Sequence, residues 1–158
     1  MILTGSEIRK QQTRGRIIID PFDPAGLNPN SYDFHLAPTL RIYTRFPLDP
    51  QQENPTTELT IPPEGFVLEP QRLYLGHTSE VLGSAFYVPS YAARSSIARL
   101  GLFINLSATL GDLGFIGQWP LHLLAVQPLR IYPEMRIGQM LWWKPTDWPH
   151  PPAPSPLR

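Results

Sequence analysis

Twenty prolines are spread over the 158 residues of this chain. Each removes a backbone donor, breaks a helix and is poorly tolerated in a central strand. A chain punctuated in this way is expected to fold as short strands joined by tight corners. The apolar pattern agrees. Ile17–Ile19 reads as a β-branched strand, and Ser31–Leu40 alternates loosely and continues through Tyr43. Leu59–Ile61, Phe66–Leu68, Leu73–His77, Leu102–Leu106, Trp119–Val126, Leu129–Tyr132 and Arg136–Trp143 read as further strands. Pro120 implies an edge or a bulge in its strand. Residues 20–30 and 49–55 read as loops, and Pro62-Pro63-Glu64-Gly65 and Pro133-Glu134 as turns. Many short strands at regular spacing predict a β-sandwich or barrel. The one convincing helix starts at Thr4 or Ser6 as cap and ends near Gln12, before Gly15.

The length is that of one domain with one core. Residues 1–144 are expected to form it, and 145–158, with six prolines, to be an extended or disordered tail. Thirteen basic residues balance thirteen acidic ones, so no net field steers the chain to nucleic acid or an anionic membrane. No apolar run is long enough to span a bilayer. Met1–Ser6 lacks the features of a signal peptide, which makes a cytoplasmic location the expectation. The absence of cysteine excludes disulfides and thiolate metal sites. It also excludes the Cys-x-x-Cys zinc centre of cytidine deaminases.

Chemistry concentrates in two stretches. Arg94-Ser95-Ser96-Ile97-Ala98-Arg99-Leu100-Gly101-Leu102 holds two guanidiniums and two hydroxyls, a donor set suited to phosphate oxygens. Asp112-Leu113-Gly114-Phe115-Ile116-Gly117 places a carboxylate beside glycines that let backbone approach a ligand. An anion-binding cluster followed by a carboxylate able to hold water points to nucleotide chemistry. Taken alone, the first stretch also reads as a surface turn with solvated arginines. Taken alone, Asp112 reads as a turn residue bonding its own backbone.

Together these stretches resemble the dCTP deaminase family, a branch of the trimeric dUTPase superfamily. Met1–Thr4, Ile19–Phe22 and Asn28-Pro29-Asn30-Ser31-Tyr32-Asp33 are similar to the family's opening. Pro133–Gln139 is similar to its P-G-M-x-I-G-Q segment. The likeness runs from Met1 to about Leu141. It implies an all-β fold, a distorted jelly-roll or β-barrel of the dUTPase-like type with one short N-terminal helix. It also implies a homotrimer with sites between subunits. The apolar Leu141-Trp142-Trp143 strand, which a lone chain would leave exposed, is read in the same sense. The implied substrate is a deoxynucleoside triphosphate, dCTP or dUTP, carrying Mg2+ on its phosphates, with no zinc and no metal held directly by the protein.

The resemblance assigns roles residue by residue. Arg94 and Ser96 lie on the triphosphate, Ser95 near the pyrimidine and the reacting water, and Arg99 beside the catalytic centre. Asp112 lies under the deoxyribose and orients water. Ala108 and Thr109 line the pyrimidine pocket with backbone groups, and Gln139 reaches toward base or phosphates; on their own, the first two read equally as a strand end packed under the site and Gln139 as an internal hydrogen-bonding group in an apolar strand. Tyr32 and Asp33 are read as serving folding or a subunit contact. Two features depart from the family. Its deaminases continue D-x-G-F-x-G-x-x-x-L-E, and that glutamate is the general base; here the register ends on His122. A histidine can serve as a base near neutral pH, but it is bulkier and becomes positive when protonated. As a bland alternative it is a half-buried strand histidine bonded to a backbone carbonyl. The tail also departs, because a proline tract offers no amides to wrap a triphosphate; Trp148 and His150 in it read as packing on a neighbouring subunit, with cover for a pocket as the alternative. The expected function is therefore a deoxypyrimidine-triphosphate hydrolase, nearest to dCTP deamination to dUTP, with dUTP hydrolysis to dUMP and pyrophosphate beside it. A non-catalytic nucleotide-binding relative is the alternative, and a different base read by His122 a weaker one.

Overall fold

A computed structural model describes residues 1–147. In chain order its elements are α1 (Gly5–Thr13), β1 (Ile18–Asp20), a 3-10 turn (Pro24–Gly26), β2 (Tyr32–His35), β3 (Thr39–Tyr43), β4 (Thr56–Thr60), β5 (Phe66–Leu68), β6 (Leu73–His77), β7 (Val81–Gly83), β8 (Val88–Ala93), α2 (Ser95–Ala98), β9 (Leu102–Phe103), β10 (Ile116–Gly117), β11 (Pro120–Ala125), β12 (Leu129–Ile131) and β13 (Arg136–Trp143). The fold is all-β. The strands pair antiparallel in the orders β4-β3-β6-β11-β9, β2-β13-β8, β1-β7-β10 and β12-β5. No helix among the described residues is long and apolar enough to cross a membrane.

The N-terminal helix forms as its sequence predicts. Thr4 is extended at φ −77°, ψ 161°, and its hydroxyl accepts from the Glu7 N–H at 3.4 Å. Gly15 leaves the helix at φ +66°, a conformation open to glycine at little cost. Ile8 is fully buried beneath it. Replacing Thr4 by alanine should lower stability by about 0.5–1 kcal/mol in chemical denaturation, through loss of the cap.

Two expected strands come out differently. Ser31–Tyr43 is not continuous. The Leu36 N–H donates to Met135 O at 3.0 Å, and the Ala37 N–H donates to His77 O at 3.0 Å. The chain thus changes sheets there, and Pro38, without a donor, sits at the crossing. Leu102–Leu106 pairs only over Leu102–Phe103. Ile104 is still fully buried, but Leu106 is exposed. There the chain peels away, and Asn105 Nδ2 donates to Tyr91 O at 2.8 Å. Pro120 matches its expectation. It opens β11 and pairs only with β6, since β9 covers only Leu124 and Ala125. The short strands β7 and β10 carry too few residues to signal themselves.

One apolar core joins the sheets, with Trp142, Tyr32, Tyr74 and Phe34 among its largest fully buried side chains. This corrects the reading of the last strand. Trp142 faces the interior of its own chain, while Trp143 is 41% exposed and donates through Nε1 to Ser90 Oγ at 2.8 Å. Alternation along β13 buries Trp142 internally, so of the triplet Leu141–Trp143 only the half-buried Leu141 and the exposed Trp143 remain open to a neighbour. Trp148 and His150 lie outside the described residues.

Candidate active site

The second half of β11 is apolar on one face, where Leu121, Leu123 and Ala125 enter the core. Strand alternation therefore turns His122 to the other face, beside Pro120. There a cleft of about 200 Å3 is lined by Tyr91, Ala108, Leu110, Gly111, Asp112, Phe115, Trp119, Pro120 and His122. Asp112 supplies its carboxylate and His122 its imidazole, and most of the remaining wall is aromatic or aliphatic.

The aromatic wall is rigid. Trp119 meets Phe115 edge-on at 4.9 Å between ring centroids and Tyr91 at 5.9 Å. The Trp119 Nε1–H donates to Leu82 O, and its backbone N–H donates to Thr78 Oγ1, both at 2.9 Å. The Tyr91 hydroxyl donates to Pro120 O at 3.0 Å. Burial pushes the Tyr91 phenol above its ordinary pKa, so it stays a neutral donor and not a proton acceptor. Gly111 is required by this packing: a Cβ there would stand 2.0 Å from Trp119 Cη2.

The Asp112 and His122 side chains are presented differently from the bland readings. The turn after Asp112 is closed by its backbone, the Phe115 N–H donating to Asp112 O at 3.2 Å, with Gly114 at φ +94°. The exposed carboxylate is left for the cleft. The His122 backbone N–H donates to Ile104 O at 2.8 Å. Its half-buried imidazole lines the cleft and has no hydrogen bond to a described residue, so no carbonyl ties it down.

The donor cluster is elsewhere. Alternation along β8 turns Tyr91 inward and leaves Ala92 exposed. Arg94, two residues beyond Ala92, follows that outer face as the cap of α2. Ile97 anchors this one-turn helix, and Ser95, Ser96 and Arg99 are exposed on it. None of Arg94, Ser95, Ser96, Arg99, Thr109 or Gln139 lines the cleft. The Thr109 carbonyl is already used, accepting from the Tyr91 N–H at 3.3 Å. Gln139 accepts from Ser31 Oγ at 2.8 Å and lies opposite Asp33 and Ala92 in the β2-β13-β8 sheet. A single chain thus brings Ala108, Asp112 and His122 together and leaves the phosphate donors on another face. Tyr91, Trp119 and Leu110 were missed as site residues, because aromatic and aliphatic residues between motifs read as core.

Against this geometry, the dCTP deaminase-like family model matches residues 2–144. The chain belongs to the dCTP deaminase-like family. Relatives bear this out. The chain is 46% identical over 142 residues to the dUMP-forming dCTP deaminase of Clostridium beijerinckii, covering 90% of this chain and 82% of that protein. It is 46% identical over 142 residues to the enzyme of the same name from Leptospira biflexa. It is 44% identical over 144 residues to a dCTP deaminase of Rhodopirellula baltica, spanning 72% of it. The crystal structure of the 2'-deoxycytidine 5'-triphosphate deaminase from Agrobacterium tumefaciens superposes with a TM-score of 0.68 at 21% identity. This covers 89% of the present chain but 47% of that one, and it establishes the fold alone. Within the family, His122 stands where the resembled deaminase pattern carries glutamate.

Proposed function

We propose that this family member converts dCTP to dUMP, releasing ammonia and pyrophosphate. The observation that carries the reading is the cleft of about 200 Å3, whose mostly aromatic and aliphatic lining also includes the His122 imidazole and the Asp112 carboxylate. A concave, mostly apolar lining with a few polar groups is the usual form of a small-molecule site. The names of the relatives support the same substrate and product.

In the first step a ring nitrogen of His122 takes a proton from water as the water oxygen bonds C4 of cytosine. The imidazolium passes that proton to N3, which received the electron pair. His122 then carries the proton of the new C4 hydroxyl to the exocyclic nitrogen, ammonia leaves, and the uracil carbonyl forms. In the second step a water held by Asp112 gives a proton to that carboxylate as the water oxygen bonds the α-phosphorus, the bond from the α-phosphorus to the α–β bridging oxygen breaks, and that oxygen leaves with pyrophosphate. Mg2+ enters with the substrate, on its triphosphate. The protein offers Arg94, Ser96 and Arg99 there, donors to phosphate rather than metal ligands. No cluster of three potential metal ligands occurs among the described residues.

The separation of Arg94, Ser95, Ser96 and Arg99 from the cleft supports a site completed by a second copy of the chain, as in a homotrimer. Leu110 at the cleft and nearby Phe103, Leu106 and Ile116 are exposed apolar side chains that such a neighbour would cover. The test is a product assay with each deoxynucleoside triphosphate and Mg2+, reading ammonia, pyrophosphate and dUMP, with mass measured by light scattering. dUMP with stoichiometric ammonia from dCTP is expected. Pyrophosphate from dUTP without ammonia from dCTP would leave a diphosphatase, and binding without turnover a nucleotide-binding relative.

A further inference from the structure

Beside the donor cluster lies a carboxylate that this function does not use. Asp33 sits in β2 between Tyr32 and Phe34, both fully buried on the core side. Its own side chain turns to the other face and is still only 6% exposed. One oxygen, Oδ2, lies 3.2 Å from Arg94 Nε, and the other accepts from Asn28 Nδ2 at 2.8 Å. The contact is side-on. It occupies the inner nitrogen of the guanidinium and leaves the two outer nitrogens without a partner among the described residues. The Arg94 side chain is 37% exposed, so those nitrogens reach solvent. Its backbone is fixed as well, the N–H donating to Ile137 O at 3.2 Å.

This geometry is poorly explained as a stabilising ion pair. A half-exposed pair is worth little, and burying a carboxylate costs free energy that a side-on contact repays incompletely. It is well suited to orientation. Arginine recognises phosphate through parallel N–H groups, and a guanidinium clamped at one edge loses less freedom when its other edge binds. Asn28 completes the arrangement by fixing the carboxylate itself. Gln139, directly across from Asp33 on β13, adds an amide whose Nε2 has no partner among the described residues, while its Oε1 is held by Ser31.

We propose that Asp33 is a positioning residue, which holds Arg94 by its inner nitrogen and aims the two outer nitrogens at a phosphate of the nucleotide, with Asn28 fixing the Asp33 carboxylate. This rests on the reading of Arg94 as a triphosphate donor. It makes a prediction opposite in sign to simple electrostatics. If Asp33 merely offset the arginine charge, removing its own charge would tighten anion binding.

Calorimetric titration of the full-length protein with inorganic tripolyphosphate and Mg2+ tests this without requiring turnover. D33N is expected to bind tripolyphosphate about tenfold more weakly or worse, because the charged contact that orients Arg94 is lost. In an R94A background, D33N should add no further loss, because Asp33 acts through Arg94. Should D33N prove unfolded in a thermal melt, N28A gives the second reading, with a smaller loss of about two- to fivefold expected. Unchanged or tighter binding by folded D33N, or by N28A where D33N is unfolded, overturns the proposal, as does an equal loss in the R94A background. Tripolyphosphate binding with no conversion of dCTP would overturn the proposed reaction and leave the role of Asp33 standing. No binding by the unaltered protein would overturn both.

Discussion

Replacing His122 by alanine is expected to lower the rate of ammonia release from dCTP by about 10²–10⁴-fold, the usual contribution of a positioned general base. Nucleotide affinity should change by less than about threefold, because the slot is shaped mainly by Tyr91, Phe115, Trp119 and Leu110. The expectation follows from the strand. Leu121 and Leu123 hold β11 against the core, so removing the side chain between them on the outer face leaves the backbone in place. Steady-state kinetics with coupled ammonia detection reads the effect. His122→Glu separates the imidazole's chemistry from its position. A carboxylate at the same register restores the resembled deaminase pattern and should support turnover far above that of the alanine variant. Alanine and wild-type proteins turning over alike would remove His122 from the reaction and move the base elsewhere.

Phe34→Ala carries the largest expected loss of stability, about 3–5 kcal/mol for an aromatic ring removed from a packed interior. Phe34 is fully buried. It fills the space over Gly138, where an added Cβ would stand 2.1 Å from Phe34 Cζ and 2.7 Å from Ile104 Cδ1. It also meets Tyr91 edge-on at 6.1 Å. One ring thus supports β13, the strand end at Ile104 that anchors the His122 backbone, and a wall of the cleft. The thermal midpoint should fall by roughly 10 °C or more for a domain of this size. Activity should fall at temperatures where the protein remains folded, because Tyr91 and Ile104 lose a packing partner. A midpoint within about 2 °C of wild type would mean that the core closes over the vacancy far better than interiors usually do.

Much of this architecture was legible from local chemistry. The capped helix ending before Gly15, the strand Arg136–Trp143 and the edge position of Pro120 were each readable in a few neighbouring residues. Glycine spacing and register singled out Asp112 and His122, and both line one cleft. What was not legible depended on partners far along the chain. The break at Leu36–Pro38 arises because one side of the strand bonds Met135 and the other His77. The burial of Trp142 arises from the face β13 shows to the core, which an apolar triplet alone does not reveal. The contact of Asp33 with Arg94 likewise joins residues far apart in the chain and could not be read from the sequence.

The sequence by itself determined the all-β class, the short-strand rhythm, the family and the list of groups able to do nucleotide chemistry, because proline punctuation, alternation and motif spacing act within a few residues. Only the tertiary structure decided how those groups are distributed. It joins Ala108, Asp112 and His122 in one aromatic slot, and it sends Arg94 to the opposite face of β8 from Tyr91. The reason is the two-residue period of a strand: facing is settled by which side the rest of the chain buries, and that is a property of the whole fold.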